Sequence, residues 1–132
     1  MAQNRSDKLK RLVSVQRHLE KMAEIDLANT TRQRQEVGET MEVVAGAINS
    51  LDPVHRSFSR HYSGQYTKLQ QQDQMLANVQ QMHEMRVVRE RTKGDRMEEH
   101  RKEARAAEDR EAADNSIYDL IDQHIAYKDR GE

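Results

Sequence analysis

Histidine, methionine and arginine side chains are the residues of this 132-residue chain that could do chemistry, yet none stands in a catalytic pattern. No two of the six histidines are four residues apart, so no helix offers the paired imidazoles of a zinc site. Met75, Met82 and Met85 are adaptable side chains that favour packing or partner contact over metal binding. Phosphate loops, G-x-S-x-G and H-E-x-x-H are absent, as is Cys. The sequence therefore predicts no enzymatic activity, no metal and no cofactor.

A run of basic residues from Arg86 to Arg96 is the feature that suggests nucleic-acid binding, because a basic helix can lie in a major groove. Glu90 and Asp95 interrupt this run, and Gly94 weakens the helix. No leucine repeat follows it. We interpret the run as a solvated helix face with alternating charges, and no nucleic-acid partner is expected.

The composition predicts long helices and excludes an ordinary globular core. Charged residues make up 34% of the chain and aromatic residues 4%, and the mean hydropathy is -1.09. One Pro and five Gly leave few breaks, while the common residues are good helix formers. The sequence thus favours helices that pair along their length over disorder.

Charge and hydropathy also indicate where the chain acts. The net charge of -1 hides a basic start, with six basic and two acidic residues in 1–21, and an acidic end, with six acidic and two basic residues in 111–132. No apolar run approaches the roughly 20 residues of a membrane span. Met1 to Lys10 lack the apolar stretch of a signal peptide. We therefore expect a cytoplasmic protein.

The fold class predicted is all-α, a long two-helix antiparallel coiled-coil hairpin that forms a single domain over residues 1–132. Ser6 is the predicted N-cap of the first helix, at about 6–51. Asp52 and Pro53 have the chemistry of a helix start, so the turn is placed at about 50–54 and the second helix at about 54–128. Residue i would then lie opposite roughly residue 105 minus i, and the second helix would overhang by about 30 residues. An alternative tip at Ser57 to Gln65, next to Gly64, would shorten that overhang.

Each helix was assigned one seam with alternating spacings of three and four residues, as a coiled coil requires. In the first helix the seam repeats from Leu9, Leu12, Gln16 and Leu19. In the second helix it repeats from His55, Phe58, Tyr62 and Gln65. Both seams are polar in their middle parts, which predicts modest stability.

Two apolar clusters stand out from this pattern. A tip cluster comprises Phe58, Tyr62, Tyr66 and Leu69, and it either closes the hairpin core or faces a partner. A second cluster lies on the predicted overhang and has no partner within the chain, so contact with another chain is the favoured interpretation. Its members are Ile117, Tyr118, Leu120, Ile121, Ile125 and Tyr127.

Two stretches of the sequence have the pattern of a known family. One is the charged stretch from Arg96 to Asp114, and the other is an N-terminal pattern made of Leu9, Leu12, Val15, Glu20, Ala23, Leu27 and Ala28. Together with the length, they resemble the FliJ family of bacterial flagellar export proteins, which is related to the YscO-type proteins of injectisomes. The segment from Ser50 to Ser63 departs from the enterobacterial members and resembles an alphaproteobacterial branch.

The resemblance implies a non-enzymatic coiled-coil stalk or escort component of the flagellar type III export apparatus. It implies that the helix ends bind the hexameric export ATPase, here through Leu9, Leu12, Leu19, Tyr118, Ile121 and Ile125. It further implies that the tip cluster contacts the membrane export gate component FlhA, that other export chaperones are possible partners, and that the protein lies at the cytoplasmic face of the inner membrane. An alternative from another class is a self-associating coiled-coil scaffold or regulatory protein, with or without nucleic-acid binding through the basic run.

Overall fold

Three helices make up the part of the chain that this computed structural model describes, residues 4–131. They are α1 (Arg5–Ile48), the short α2 (Pro53–Ser57) and α3 (Ser59–Arg130). No strand occurs within residues 4–131. The fold is all-α, and its two long helices pack against each other as a helical hairpin would.

The connection between the long helices begins as the residue types predict. Asp52 is in an extended conformation and its Oδ1 accepts a hydrogen bond from the Val54 backbone N–H at 2.9 Å, while Pro53 occupies the first helical turn. Phe58 ends α2 at φ -106° and ψ 10°. The Phe58 carbonyl also accepts from the Tyr62 N–H at 3.0 Å, so α3 begins at once. The single Pro therefore starts a five-residue helix and not the second long helix.

The start of α1 differs from the predicted cap at Ser6. The Asn4 carbonyl accepts hydrogen bonds from the backbone N–H groups of Asp7 and Lys8, at 3.1 and 3.2 Å. Ser6 instead donates its backbone N–H, at 2.9 Å, and its hydroxyl to the two carboxylate oxygens of Glu108. A side chain of α3 thus satisfies the first turn of α1, which sequence-local capping rules cannot foresee.

The described chain packs as two units, of which one is Leu19–Arg91. In this unit Arg34 donates to Asp73 at 3.0 Å and to Gln80 at 3.2 Å. Two further ion pairs join the same helices, Asp26–Arg86 at 2.9 Å and Glu24–Arg91 at 2.7 Å. In these pairs, lower residue numbers on α1 go with higher residue numbers on α3. The two helices therefore run in opposite directions within this unit.

The other unit contains the chain up to His18 together with the chain from Thr92 onward. Arg17 pairs with Asp95 at 3.1 Å, and Ser6 pairs with Glu108. The helices of this unit also run in opposite directions, and α3 continues past Glu108 without a partner from the described residues of α1.

The predicted pairing of residue i with 105 minus i is wrong. Ser6 meets Glu108 and Asp26 meets Arg86, so residue i lies opposite roughly residue 114 minus i. The reversal therefore centres near Ser57, at the start of the alternative tip, because α2 adds a helical turn to the connection. The overhang is correspondingly shorter than the predicted 30 residues or so, and in the described chain it comprises residues 109–131.

The observed seam of α1 repeats every seven residues, but it is offset from the predicted one at every second position. Leu9, Gln16 and their heptad equivalents are in both seams, whereas Val13 and Glu20 are buried where Leu12 and Leu19 were predicted. The buried and half-buried seam positions of α1 are Ser6, Leu9, Val13, Gln16, Glu20, Ala23, Leu27, Thr30, Arg34, Val37, Met41, Val44 and Ile48.

The seam of α3 has the same offset. Tyr62, Leu69 and their equivalents are correct, whereas Tyr66 and Asp73 replace the predicted Gln65 and Gln72. The corresponding positions of α3 are Tyr62, Tyr66, Leu69, Asp73, Leu76, Gln80, His83, Val87, Glu90, Gly94, Met97, Arg101, Ala104 and Glu108.

The seam contains little apolar material. The buried apolar residues are Val13, Ala23, Val37, Val44 and Val87. Four polar residues are also buried, namely Ser6, Gln16, Glu20 and Thr30. Since burial of apolar area is the main driving force of folding, this seam stabilises the helix pair only modestly and leaves most large apolar side chains on the surface.

Candidate partner-binding surfaces

The tip cluster lies in the Leu19–Arg91 unit and is organised around Tyr62. The centroid of its ring lies 6.0 Å from that of His55, 6.4 Å from that of Phe58 and 6.2 Å from that of His61. Its hydroxyl lies 3.4 Å from Nδ1 of His55. These tilted arrangements are those that aromatic rings favour.

Burial divides the tip cluster into two groups. Tyr62, Tyr66 and Leu69 are half-buried seam residues and contribute to helix packing, while Phe58 is 52% exposed. Phe58 is therefore the large apolar side chain of the cluster that a partner could reach most easily. The histidines at 55 and 61 were not among the predicted site residues, although their closeness in sequence to Phe58 and Tyr62 was a usable signal.

The predicted residues near the start of α1 fall into two classes. Leu9 is half-buried in the seam, whereas Leu12 is 52% exposed. With Val15, which is 59% exposed, Leu12 forms what we call the N-terminal stripe. Leu12 belongs to the seam predicted from sequence only because that seam is offset by one residue at this position.

In the Leu19–Arg91 unit, other apolar side chains are also exposed on the long helices. Leu19 was a predicted site residue and is 39% exposed. On α3 the methionines at 75, 82 and 85 are all more than 60% exposed, so they do not fill gaps in a core. The exposed apolar residues of this unit on α1 and α3 are Leu19, Met22, Ile25, Val43, Met75, Met82, Met85 and Val88.

The segment of α3 from 109 to 130, which we call the extension, is helical, and every one of its residues is exposed. Tyr118, Ile121 and Ile125 are 65%, 47% and 53% exposed, and no described residue of α1 covers them. Five of the six apolar side chains, namely Ile117, Leu120, Ile121, Ile125 and Tyr127, follow spacings of three, one, four and two residues. At 3.6 residues per turn these spacings put them on one side of the helix. The extension is therefore an amphipathic helix whose apolar face is open.

The apolar face of the extension overlaps the continuation of the seam only at its edge. The positions that extend the seven-residue repeat beyond Glu108 are Glu111, Asn115, Tyr118, Asp122, Ile125 and Asp129, of which four are polar. Ile125 belongs both to this repeat and to the apolar face. Ile117 and Ile121 lie outside the repeat, so most of the face is turned away from the side on which α1 packs.

The basic run of α3 is partly neutralised within the fold. Arg86 pairs with Asp26 and Arg91 pairs with Glu24. Ion pairs of this kind lower the charge available for phosphate contacts. They therefore weigh against nucleic-acid binding through these two arginines.

Glu108 holds the start of α1 electrostatically. Hydrogen bonds from the Ser6 hydroxyl and the Ser6 backbone N–H lower the pKa of the Glu108 carboxyl below its usual value, against a smaller opposing effect of desolvation. The pKa of Glu98 is lowered in the same way by a hydrogen bond from Arg101, whose Nη2 lies 2.7 Å away. Both carboxylates favour the folded state when they are charged.

We expect a pH-dependent contribution from Glu108. Because its pKa is lower in the folded chain than in the unfolded chain, its stabilisation is present above the ordinary glutamate pKa of about 4.3 and is lost as the pH falls through the folded value. Glu108→Gln should therefore lower the free energy of unfolding at neutral pH, and the difference from wild type should shrink below about pH 4.3.

Urea unfolding followed by circular dichroism at several pH values measures this difference, and Glu99→Gln, at an exposed position of the same helix, is the matched control. A difference that stayed constant down to the lowest pH would exclude the charged hydrogen bonds as its cause.

Within residues 4–131 no three His, Asp or Glu side chains lie close enough to hold a metal ion. Over the same residues, none of the helices combines the length and the apolar character that crossing a membrane requires. The chain matches no protein-family model, no curated protein and no solved structure.

Proposed function

We propose that this chain is a non-enzymatic stalk or escort component of a bacterial flagellar type III export apparatus, acting at the cytoplasmic face of the inner membrane. In this role it couples the export ATPase to the export gate component FlhA. The observation that carries the proposal is the open apolar face of the extension, on a helix whose own partner has ended. A chain that acts through other subunits needs such a face, since exposed apolar surface of this kind is typical of protein contacts.

The two long helices are further proposed to form an antiparallel coiled coil. In support, buried and half-buried positions recur at alternating spacings of three and four residues on both helices. The seam buries little apolar surface and therefore leaves most of the large apolar side chains of the two helices accessible. A stalk requires this combination of paired helices and accessible faces.

The proposal assigns separate surfaces to separate partners. The extension, through Tyr118, Ile121 and Ile125, and the start of α1, through Leu12, bind the ATPase hexamer. Phe58 and the exposed parts of Tyr62 contact FlhA or an export chaperone. In the described chain the extension and Phe58 belong to different units, and each has its own exposed apolar side chains.

Capture of the hexameric flagellar export ATPase by the whole chain tests the proposal. We expect wild type to retain the ATPase and the double variant Ile121→Asp/Ile125→Asp to lose it, with at least about a thirtyfold weaker affinity, because two exposed apolar contacts become charged. Helicity by circular dichroism should stay nearly unchanged, since neither side chain packs within the described chain.

Met75→Asp is the matched control, because Met75 is an apolar side chain of α3 that is also exposed, at 67%, but lies in the other unit. Equal ATPase retention by wild type and the double variant would refute the role of the extension, and no retention by either would refute the stalk proposal.

A further inference from the structure

The extension and the N-terminal stripe have complementary surfaces, although both belong to the same unit. Toward the start of α1 the stripe is preceded by two exposed basic residues, Arg5 and Lys8. The four residues Arg5, Lys8, Leu12 and Val15 are spaced by three or four positions, so they lie on one side of α1. In the extension, the exposed acidic residues Glu111 and Asp114 precede the apolar residues Ile117 and Ile121. Each surface therefore has a charged part followed by an apolar part, and their charges are opposite.

These two surfaces cannot meet within one chain while α3 is a continuous helix. Ser6 lies against Glu108, so the first turn of α1 is level with residue 108 of α3. Ile117 lies nine residues beyond that level, and Leu12 lies six residues on the other side of it. At 1.5 Å per residue, Leu12 and Ile117 are about 22 Å apart along the helix axis. The N-terminal stripe that covers an extension must therefore belong to another molecule.

We propose that the molecule is a second copy of this chain, with the extension of each copy packed on the N-terminal stripe of the other. A two-fold axis near residues 109 and 110 of α3, perpendicular to the helix, brings residue 117 of one copy level with residue 12 of the other. It also makes the extension of one copy parallel to α1 of the other, because α1 and α3 run in opposite directions within a chain.

In this parallel arrangement, a single register brings the apolar part of the extension against the apolar part of the stripe and the acidic part against the basic part. Ile117 and Ile121 of one copy lie beside Leu12 and Val15 of the other, and Asp114 lies beside Lys8. One helical turn before this pair, Glu111 lies beside Arg5. Two identical contacts form at once, so the dimer is closed and the apolar face of each extension is covered. The inference does not depend on the proposed function.

Disulfide trapping in the whole chain tests the contact directly, because the natural sequence has no Cys. Chains with Val15→Cys are mixed with chains carrying Ile121→Cys and oxidised. A disulfide forms readily only where the two Cα atoms come within about 7 Å. We expect the mixed dimer to form at least about tenfold faster than in the control mixture of Met75→Cys with Ile121→Cys. Equal rates in the two mixtures would overturn the proposal, as would preferential linkage of Ile121→Cys chains to each other.

Charge-reversal variants of the proposed dimer provide a second, independent test, in which association of the whole chain is measured by sedimentation. Wild type should associate with increasing concentration, and less so at high salt, which screens the pairing of Lys8 with Asp114. Lys8→Glu should weaken association about tenfold, and adding Asp114→Lys to the same chain should restore it. A wild-type chain that sediments as a monomer at every concentration, or a double charge variant as weak as the single one, would overturn the proposal.

Discussion

Ala23→Asp should unfold or nearly unfold the helix pair, which is the largest effect we expect from any single substitution in the seam. Ala23 is 0% exposed, the lowest value among the buried residues. A carboxylate there has no room and no water, because the Ala23 side chain is fully enclosed between the helices. Burial of a charge at such a site costs about 3 kcal/mol or more. That is a large part of the total stability of a chain with so small a core.

Ala28→Asp is the matched control for this prediction, because it makes the same change on the same helix at an exposed position. The loss of helix propensity is then common to both variants, and the difference reports burial alone. Urea unfolding of both variants, followed by circular dichroism, measures it. Equal stabilities for the two variants would mean that the seam does not pass through position 23.

Val13→Asp and Leu12→Asp should have very different effects although the residues are neighbours. Val13 is 8% exposed and belongs to the observed seam, so a carboxylate there should cost about 3 kcal/mol. Leu12 is 52% exposed, so the same change should cost less than about 1 kcal/mol. The sequence-based seam predicts the reverse order, because it places Leu12 and not Val13 between the helices.

Thermal unfolding of the two variants at one protein concentration separates these alternatives. The concentration should be low enough that association through the N-terminal stripe does not contribute. A lower melting temperature for Leu12→Asp than for Val13→Asp would restore the seam predicted from sequence and contradict the packing described above.

Residue types near helix starts and breaks were sufficient to predict most of the secondary structure. The chemistry of Asp52 and Pro53 located a helix start correctly, since an N-cap is a local interaction. It did not reveal that this helix lasts only five residues, because the stop at Phe58 depends on backbone geometry that no local motif announces. The error of about nine residues in the pairing followed from that one omission.

The seam offset has a related physical cause. Leu12 and Leu19 are larger and more apolar than Val13 and Glu20, so any count of apolar residues prefers them. The packing instead buries a valine and a glutamate and leaves both leucines partly exposed. Apolar residues on the surface of a chain with so small a core do not identify that core, and only the contacts with α3 distinguish the two stripes.

The candidate surfaces were predictable to different degrees. The exposure of Tyr118, Ile121 and Ile125 followed from the expected overhang and is present in the shorter one. The sequence does not decide whether Tyr66 and Leu69 pack between the helices or face a partner, because the answer depends on where the chain reverses direction. The contact of Glu108 with Ser6 joins residues 102 positions apart, and sequence periodicity does not pair such residues.

The second-copy contact and the proposed ATPase contact use the same residues. Ile121 cannot be covered by the N-terminal stripe of another copy and by the ATPase at once. We therefore expect the two complexes to compete, so that added ATPase dissociates the dimer in proportion to its own binding. The two proposals remain separable, because disulfide trapping needs no ATPase and ATPase capture can be made at concentrations where the chain is a monomer.

A bridging experiment asks whether this chain joins the two proteins that we propose it couples. Immobilised cytoplasmic domain of FlhA is incubated with the hexameric export ATPase, with and without the whole chain. We expect the ATPase to be retained only when the chain is present, and the double variant Ile121→Asp/Ile125→Asp to stay on FlhA without retaining the ATPase. Retention of the ATPase that is independent of the chain, or failure of the chain to bind either protein, would refute the proposed coupling.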